Sequence, residues 1–477
     1  MIWDFLTDRM LEHPSATISG GGETLCFAEL ADQAAWLSHS LPKETIGLDC
    51  SSELNTARSL LACFAAGATA VPLSPRYGEE HCRKIVESVG LTWFLTDRDG
   101  ELRLERRKGG ATDRETADRD ALSDVELIMC TSGTTGRPKG AMITGRGLEA
   151  NLRDIESYFR IGPPDRILIS RPLYHCAVLT GEFLISLIRG VDVVFYDGAF
   201  NPARVLESVR SEKITVLCGT PTLFYHLSLL ASRHPRPLGL RTAAISGECL
   251  TPAVAAGIRA MLPDAAVYNV YGLTEASPRV CWLPPERFDE KPDCVGLPLP
   301  SLRLRVVDEK GNELPAGEAG ELLVSGPSLM KGYYRQPEQT ARVLRDGWLH
   351  TGDVAVMDGE GMVSIRARRD GLIIRAGMNI YPQEIENALT LDDQVKEALA
   401  YGVPDGRGSQ RIAVKAVMAD PAATRSDFLA VCRRRLSPYQ IPDTVEFVER
   451  LERNASGKLL RPRTAPDAAK SEEGRTS

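Results

Sequence analysis

The stretch Thr131–Gly140 reads TSGTTGRPKG and packs three glycines, four hydroxyls and two cations into ten residues. Glycine lets backbone N–H groups converge on an anion, and hydroxyls add further donors. Arg137 and Lys139 add charge. By composition this is a polyphosphate-binding loop, although a polar surface turn uses the same residue types. It is not a Walker loop, because the pattern G-x-x-x-x-G-K-[ST] is absent. In NVYGLTEAS, Thr274 and Glu275 follow a predicted strand, at the end where parallel sheets bind ligands. A carboxylate close to phosphates suggests Mg²⁺. GWLHTGD ends on Asp353 in a predicted turn, where a carboxylate can accept from both hydroxyls of a ribose. RARRDGLIIRAG gathers arginines beside a predicted domain boundary, and NASGKLLR presents Lys458 on a glycine turn. Taken singly, these acids also read as ordinary turn residues and the lysine as a solvated one.

The elements that must position these residues alternate. ATAVPL, LTWFLT, VELIMC, RILIS, VDVVFY, ITVLCG, RTAAIS and AAVYNV are short apolar runs of strand length. ELADQAAWLSHSL has helical spacing, and helices are predicted over Pro202–Ser211 and Pro252–Met261. Strands separated by helices imply an α/β fold with mostly parallel sheet covered on both faces. LLACFAAGATAVPL, Leu60–Leu73, is too short to span a bilayer and reads as a buried helix running into a strand. RLERRKGGATDRETADRD reads as a solvated excursion. After Leu302 the runs LRLRVVD, GELLVSG, DVAVMD and GMVSIRA carry Gly- and Asp-rich turns, nearer to antiparallel sheet. The boundaries follow: a large N-terminal domain over 1–369 with a β-rich distal part, a small mobile α+β domain over 370–462, and a disordered tail over 463–477. There is no internal repeat.

The chain has 477 residues, 43% of them hydrophobic, enough for sizeable cores in more than one domain. A net charge of -7 argues against a nucleic-acid partner, which would need a basic face. Eleven cysteines are scattered without a CxxC pair and read as buried free thiols. The N-terminus MIWDFLTDRM has acids where a signal peptide needs bases. A cytoplasmic protein without a membrane span or disulfide framework is therefore expected.

TSGTTGRPKG, YGLTE, GWLHTGD, GMNIYPQEIE and NASGKLLR occur in one order between about Leu25 and Arg461. Together they resemble the adenylate-forming superfamily of acyl-CoA synthetases, carrier-protein adenylation domains and luciferases. The resemblance implies that Thr131, Ser132, Gly133, Thr134, Thr135, Gly136 and Lys139 close over the ATP β- and γ-phosphates. Tyr271 would stack on adenine, and Thr274 would touch the α-phosphate. Glu275 would help hold Mg²⁺, with Thr135 a further candidate. Asp353 would bind the ribose hydroxyls with Arg368 nearby. Gly247 and Glu248 match the segment lining the adenine and acyl sites. Asp370 would be the hinge, and Lys458 would reach the substrate carboxylate and the α-phosphate. Two departures stand out. Ala367 replaces a glycine usual in the family, and Arg137 stands where lysine is common. Neither touches the core catalytic set.

The implied chemistry is transfer of AMP to a carboxylate with release of pyrophosphate, then attack by a thiol. Mg²⁺ and Lys458 would offset the negative charge, and the small domain would turn near Asp370 between the two steps. RPLYHCAVLTGEF resembles the segment lining the acyl pocket, with Tyr174 and His175 as pocket residues; His175 also fits plain packing. Phe224 and Tyr225 are further candidates for the pocket wall. No carboxylate lies between Tyr174 and Thr180, and Glu182 is the nearest acid. That disfavours an α-amino acid, whose buried ammonium would lack a partner. An aliphatic or aromatic carboxylic acid is expected, with coenzyme A as the thiol. The alternative is a carrier protein's phosphopantetheine acting in trans. A monomer or homodimer is expected. Luciferase-type oxidation has no separate signal. A non-enzymatic nucleotide-binding homologue is disfavoured by Lys458, Glu275 and Asp353, and a kinase or unrelated ATPase by its missing motifs.

Overall fold

The computed structural model describes residues 2–75, 79–98, 100–107, 121–131, 138–198, 200–233, 236–375, 378–404, 410–453 and 459–462. Ser132–Arg137, Lys458 and the 463–477 tail therefore lie outside the described residues.

The alternating pattern folds as an α/β protein with two large sheets. One has nine strands, of which six run parallel, in the order Thr17–Gly20, Asp192–Phe195, Arg166–Ile169, Val216–Gly219, Thr242–Ser246 and Ala266–Gly272. Antiparallel strands close both of its edges. The second sheet has seven strands and a parallel centre of Val125–Thr131, Thr69–Leu73, Thr45–Asp49 and Trp93–Arg98. The largest apolar cluster joins these two sheets through the helices between them. Helix starts follow side-chain chemistry. Asn201 and Thr251 cap Pro202–Ser211 and Pro252–Met261, each with proline in the first turn. Leu60–Leu73 is the expected buried helix, Glu53–Ala66, turning at Gly67 (φ +65°) into Thr69–Leu73.

The distal part is antiparallel, built on Arg303–Val307, Ala319–Ser325, Trp348–Met357 and Val363–Arg368. The C-terminal part is a smaller α+β domain. It packs Pro382–Thr390 and Arg425–Arg435 against a three-stranded sheet, around a core of its own that includes Ile385, Ala400, Val414 and Phe428.

Two expectations need correction. The charged stretch after Leu102 does not begin as a solvated excursion. Glu101–Arg106 is an edge strand paired antiparallel with Trp93–Arg98. Its arginines earn their place by stacking: Arg106 lies over the Trp93 ring at 5.3 Å, and Arg107, just beyond the strand, lies over Phe94 at 4.3 Å. Residues 108–120 lie outside the description. Asp353 is not in a turn. It sits inside the strand Trp348–Met357, which has partners on both sides, and Gly352 next to it absorbs a positive φ of +69°.

Candidate active site

Three side chains predicted to bind a nucleoside meet. Asp353 and Arg368 face each other across the strand pair Trp348–Met357 and Val363–Arg368. Arg368 Nη1 donates to Asp353 Oδ1 at 3.0 Å and to the Thr351 carbonyl at 3.1 Å. From the other side the Tyr271 hydroxyl, at the C-terminal end of Ala266–Gly272, donates to Asp353 Oδ2 at 2.5 Å. Burial, and then the Asp353 charge beside it, hold the Tyr271 hydroxyl well above the ordinary phenol pKa. It remains a donor at neutral pH. Asp353 is itself buried at 5% exposure. A carboxylate has about four acceptor positions, so Asp353 keeps capacity for two more donors.

A second cluster forms around Glu275. Thr131 pairs with Lys139 in the antiparallel hairpin of Val125–Thr131 and Lys139–Thr144. The glycine-rich stretch thus links two paired strands. Lys139–Thr144 pairs on its other side with Gly332–Tyr333. That pairing puts the Tyr333 ring 5.0 Å from Lys139 Nζ and lets its hydroxyl donate to Glu275 Oε1 at 2.7 Å. Burial, reinforced by Glu275, raises the Tyr333 hydroxyl pKa. Glu275 and Thr274 lie in the one-turn helix Thr274–Ala276, one residue beyond the strand Ala266–Gly272 that carries Tyr271. The Glu275 carbonyl anchors Met330 N at 2.8 Å.

Gly247 lies at the end of Thr242–Ser246 with φ +94°. Glu248 is turned toward the small domain. It accepts from Thr222 Oγ1 at 2.7 Å and from Arg453 Nη1 at 3.1 Å, while Arg453 Nη2 reaches Glu397 at 2.8 Å. Tyr174 is buried, and its ring lies 4.3 Å from His175, which opens the helical segment Cys176–Val178. The other two pocket candidates lie on the helix Pro221–Arg233. Phe224 is fully buried in the core with Leu168, Leu217 and Ile245. Tyr225 is half-buried toward the small domain, and its hydroxyl pKa is raised by burial and by Glu397. Asp370 falls in the turn Arg369–Gly371.

Among the described residues no group of three or more His, Cys, Asp or Glu could hold a metal. A single carboxylate can suit Mg²⁺ nonetheless, since that ion keeps several waters and takes substrate phosphates as ligands. Glu275 fits that role. No helix among the described residues is long and apolar enough to cross a membrane.

No motif singled out Tyr333, Thr222, Arg453 or Arg279, and Arg171 stood unremarked at the start of RPLYHCAVLTGEF. Two of them leave a trace in the sequence, as cations at the edge of apolar runs: Arg171 in LISRPLYH and Arg279 in ASPRVCW. Tyr333 is 58 residues from Glu275, and no local spacing links them.

Comparison with known proteins decides the family. A profile described as AMP-binding enzyme matches residues 6–334, and one described as AMP-binding enzyme C-terminal domain matches residues 384–458. The chain belongs to the AMP-binding, adenylate-forming enzymes. It is 35% identical to a feruloyl-CoA synthase of Amycolatopsis sp, over 96% of this chain and 97% of that protein. Its structure is similar to that of o-succinylbenzoate CoA synthetase from Bacillus subtilis in complex with an acyl-adenylate intermediate. That match has a TM-score of 0.82, 28% identity and 96% coverage of each chain. The Bacillus enzyme has also been solved with ATP and magnesium ion. The amide bond synthetase McbA from Marinactinospora thermotolerans matches with a TM-score of 0.81 and 25% identity, over 96% of this chain and 98% of that one. The chain is thus an adenylating enzyme that joins an acid to AMP.

Proposed function

We propose that this protein activates an aliphatic or aromatic carboxylic acid with ATP and passes the acyl group to coenzyme A. The observation that carries the reading is the convergence of Tyr271, Asp353 and Arg368 at the carboxyl end of the parallel sheet, beside the Glu275–Tyr333–Lys139 cluster. The first group suits a nucleoside and the second a metal-bound polyphosphate. The 35% identity to a CoA synthase over nearly the whole chain favours coenzyme A over a carrier protein as the thiol.

Each residue has a task in this reading. Asp353 accepts the ribose hydroxyls, while Arg368 and Tyr271 fix its orientation. Thr274 donates to the α-phosphate. Lys139 and the residues from Thr131 to Gly136 orient the pyrophosphate leaving group. Glu275 holds Mg²⁺, which when bound offsets the charge of the phosphates. Lys458 bridges the substrate carboxylate and the α-phosphate. The acid is already ionised at neutral pH, so adenylation requires no general base. Tyr174 and His175 bound the acyl site, and the small domain turns about Asp370 before the thiol attacks.

The test is incubation with ATP, Mg²⁺, coenzyme A and a pooled panel of carboxylic acids, read by mass spectrometry. Acyl-CoA with AMP is the expected product pair. AMP and acyl-adenylate without acyl-CoA would reject coenzyme A and point to a carrier protein.

A further inference from the structure

One face of the helix Gly145–Tyr158 holds the turn that carries Thr274 and Glu275. This helix follows directly on the strand Lys139–Thr144 and is capped by Thr144. Gly147, Asn151 and Tyr158 recur at helical spacing and share one side of it. At Gly147 the helix comes close to the Pro327–Ser328 backbone: a Cβ there would lie 3.2 Å from the Pro327 carbonyl oxygen. One turn on, Asn151 is 0% exposed. Its Nδ2 donates to the Arg279 carbonyl at 2.8 Å and to the Ala276 carbonyl at 3.4 Å, and its Oδ1 accepts the Arg279 N–H at 3.3 Å. At the end of the same face the Tyr158 hydroxyl accepts from Arg279 Nη1 at 2.6 Å.

The turn gripped in this way joins the strands Ala266–Gly272 and Arg279–Trp282. Its backbone is strained. Ser277 is fully buried at φ +66° and ψ +38°, a left-handed conformation that residues with a side chain rarely adopt. Such a residue persists only where its surroundings hold it, and such residues gather at functional sites. Here the Asn151 amide brackets it, with a bond to Ala276 before it and bonds to Arg279 after it. The Ser277 hydroxyl donates to the Ser328 carbonyl at 2.7 Å, on the backbone that approaches Gly147. An amide suits this task, because it offers two N–H donors to two carbonyls and an acceptor to one N–H. A carboxylate would set its oxygens against both carbonyls, and a hydroxyl has one proton to give.

We propose that Asn151 is a positioning residue for adenylation. It ties Ala276 and Arg279 to the helix that continues the Lys139 strand, and so fixes where Thr274 and Glu275 stand relative to the phosphate hairpin. This rests on the roles of Thr274 and Glu275 proposed above. Tyr333 joins the same two parts through the Glu275 side chain, whereas Asn151 acts on the backbone.

The experiment compares Asn151→Ala, Asn151→Ser and Ile155→Ala with the wild type. Ile155 is a fully buried core residue of the same helix, and its truncation lowers Tm by leaving a cavity without removing a bond to the turn. In Asn151→Ala, acid-dependent pyrophosphate exchange should fall about 10- to 100-fold, and the Mg²⁺ concentration for half-maximal rate should rise about fivefold or more. KM for the acid should hold. Thioester formation from supplied acyl-adenylate, in which pyrophosphate has no part, should be unslowed. Asn151→Ser keeps one donor and should fall between; where Asn151→Ala is too unstable to purify, it carries the same comparison. Ile155→Ala should lose Tm and keep the wild-type Mg²⁺ requirement. Equal losses in both half-reactions, an unchanged Mg²⁺ requirement in the Asn151 variants, or an equal rise in Ile155→Ala would reduce Asn151 to a structural residue and overturn the proposal. Calorimetric titration of ATP with and without Mg²⁺ reads the turn without turnover. Mg²⁺ should tighten ATP binding less in the Asn151 variants than in the wild type, and an equal gain overturns the proposal. Should no acid yield AMP while the variants still lose that gain, the proposed function fails and the Asn151 assignment stands.

Discussion

Tyr333 shows what one hydroxyl does at this site. Its ring lies beneath Lys139 and its O–H is directed at Glu275, so it joins the cation of the phosphate hairpin to the candidate Mg²⁺ ligand. A hydrogen bond to a charged group contributes about 1.5–3 kcal/mol, and here it holds Glu275 by Oε1. Tyr333→Phe keeps the ring, and with it the contact to Lys139. The expected result is a loss of about 10- to 100-fold in kcat/KM for ATP, and a higher Mg²⁺ concentration for half-maximal pyrophosphate exchange. Tm should change little. An unchanged Mg²⁺ requirement would reduce Tyr333 to a packing residue.

At the scale of elements, Glu126 ties the N-terminal helix Ile2–Leu11 to the strand Val125–Thr131. Its carboxylate accepts the Ile2 backbone N–H, and burial pushes its pKa from 4.5 up to about 7. The folded chain therefore holds a proton between those values that the unfolded chain has lost. By linkage, stability from this group is full below about pH 4.5, falls as pH rises to about 7, and is flat above. Glu126→Gln removes the titration and keeps the acceptor. Melting curves should show the variant gaining on the wild type as pH rises from 5 to 8, whereas a constant offset would mean that Glu126 does not titrate there. The elements themselves were largely legible in the sequence. The apolar runs from RILIS to AAVYNV are all strands, and Asn201-Pro202 and Thr251-Pro252 marked true helix starts. Glu101–Arg106 was not legible, because its apolar face is only Leu102 and Leu104 set among four charged residues, two of them arginines. Asp353 was misread because Gly352 punctuates a turn in most contexts. Here neighbours on both sides hold the chain extended.

Over the whole molecule, the residues legible as motifs come from both domains, and what joins the domains was invisible in sequence. Arg453 supplies one such link. It donates to Thr222 and Glu248 of the large domain and to Glu397 of its own, and all three acceptors are distant in sequence. Arg453 also pairs with Leu459 across the segment that carries Lys458. The grip on Glu248 thus joins Arg453 of the small domain to the large domain beside Gly247; we propose that this arrangement serves adenylation. In the proposed cycle the lysine leaves before thiol attack, so the same grip would have no part in that step. Partly buried charge-assisted bonds of this kind contribute about 1–2 kcal/mol, or roughly 5- to 30-fold in the balance between two arrangements. Arg453→Ala should therefore slow acid-dependent pyrophosphate exchange by about that factor and leave thioester formation from supplied acyl-adenylate unslowed. Lys458→Ala should show the same asymmetry with a larger loss, because it removes the charge as well as the tether. Stopped-flow or quench measurement of each half-reaction separates the two effects. Equal losses in both half-reactions, for either variant, would mean that the small domain serves both steps in one position, and the tethering role of Arg453 would be wrong.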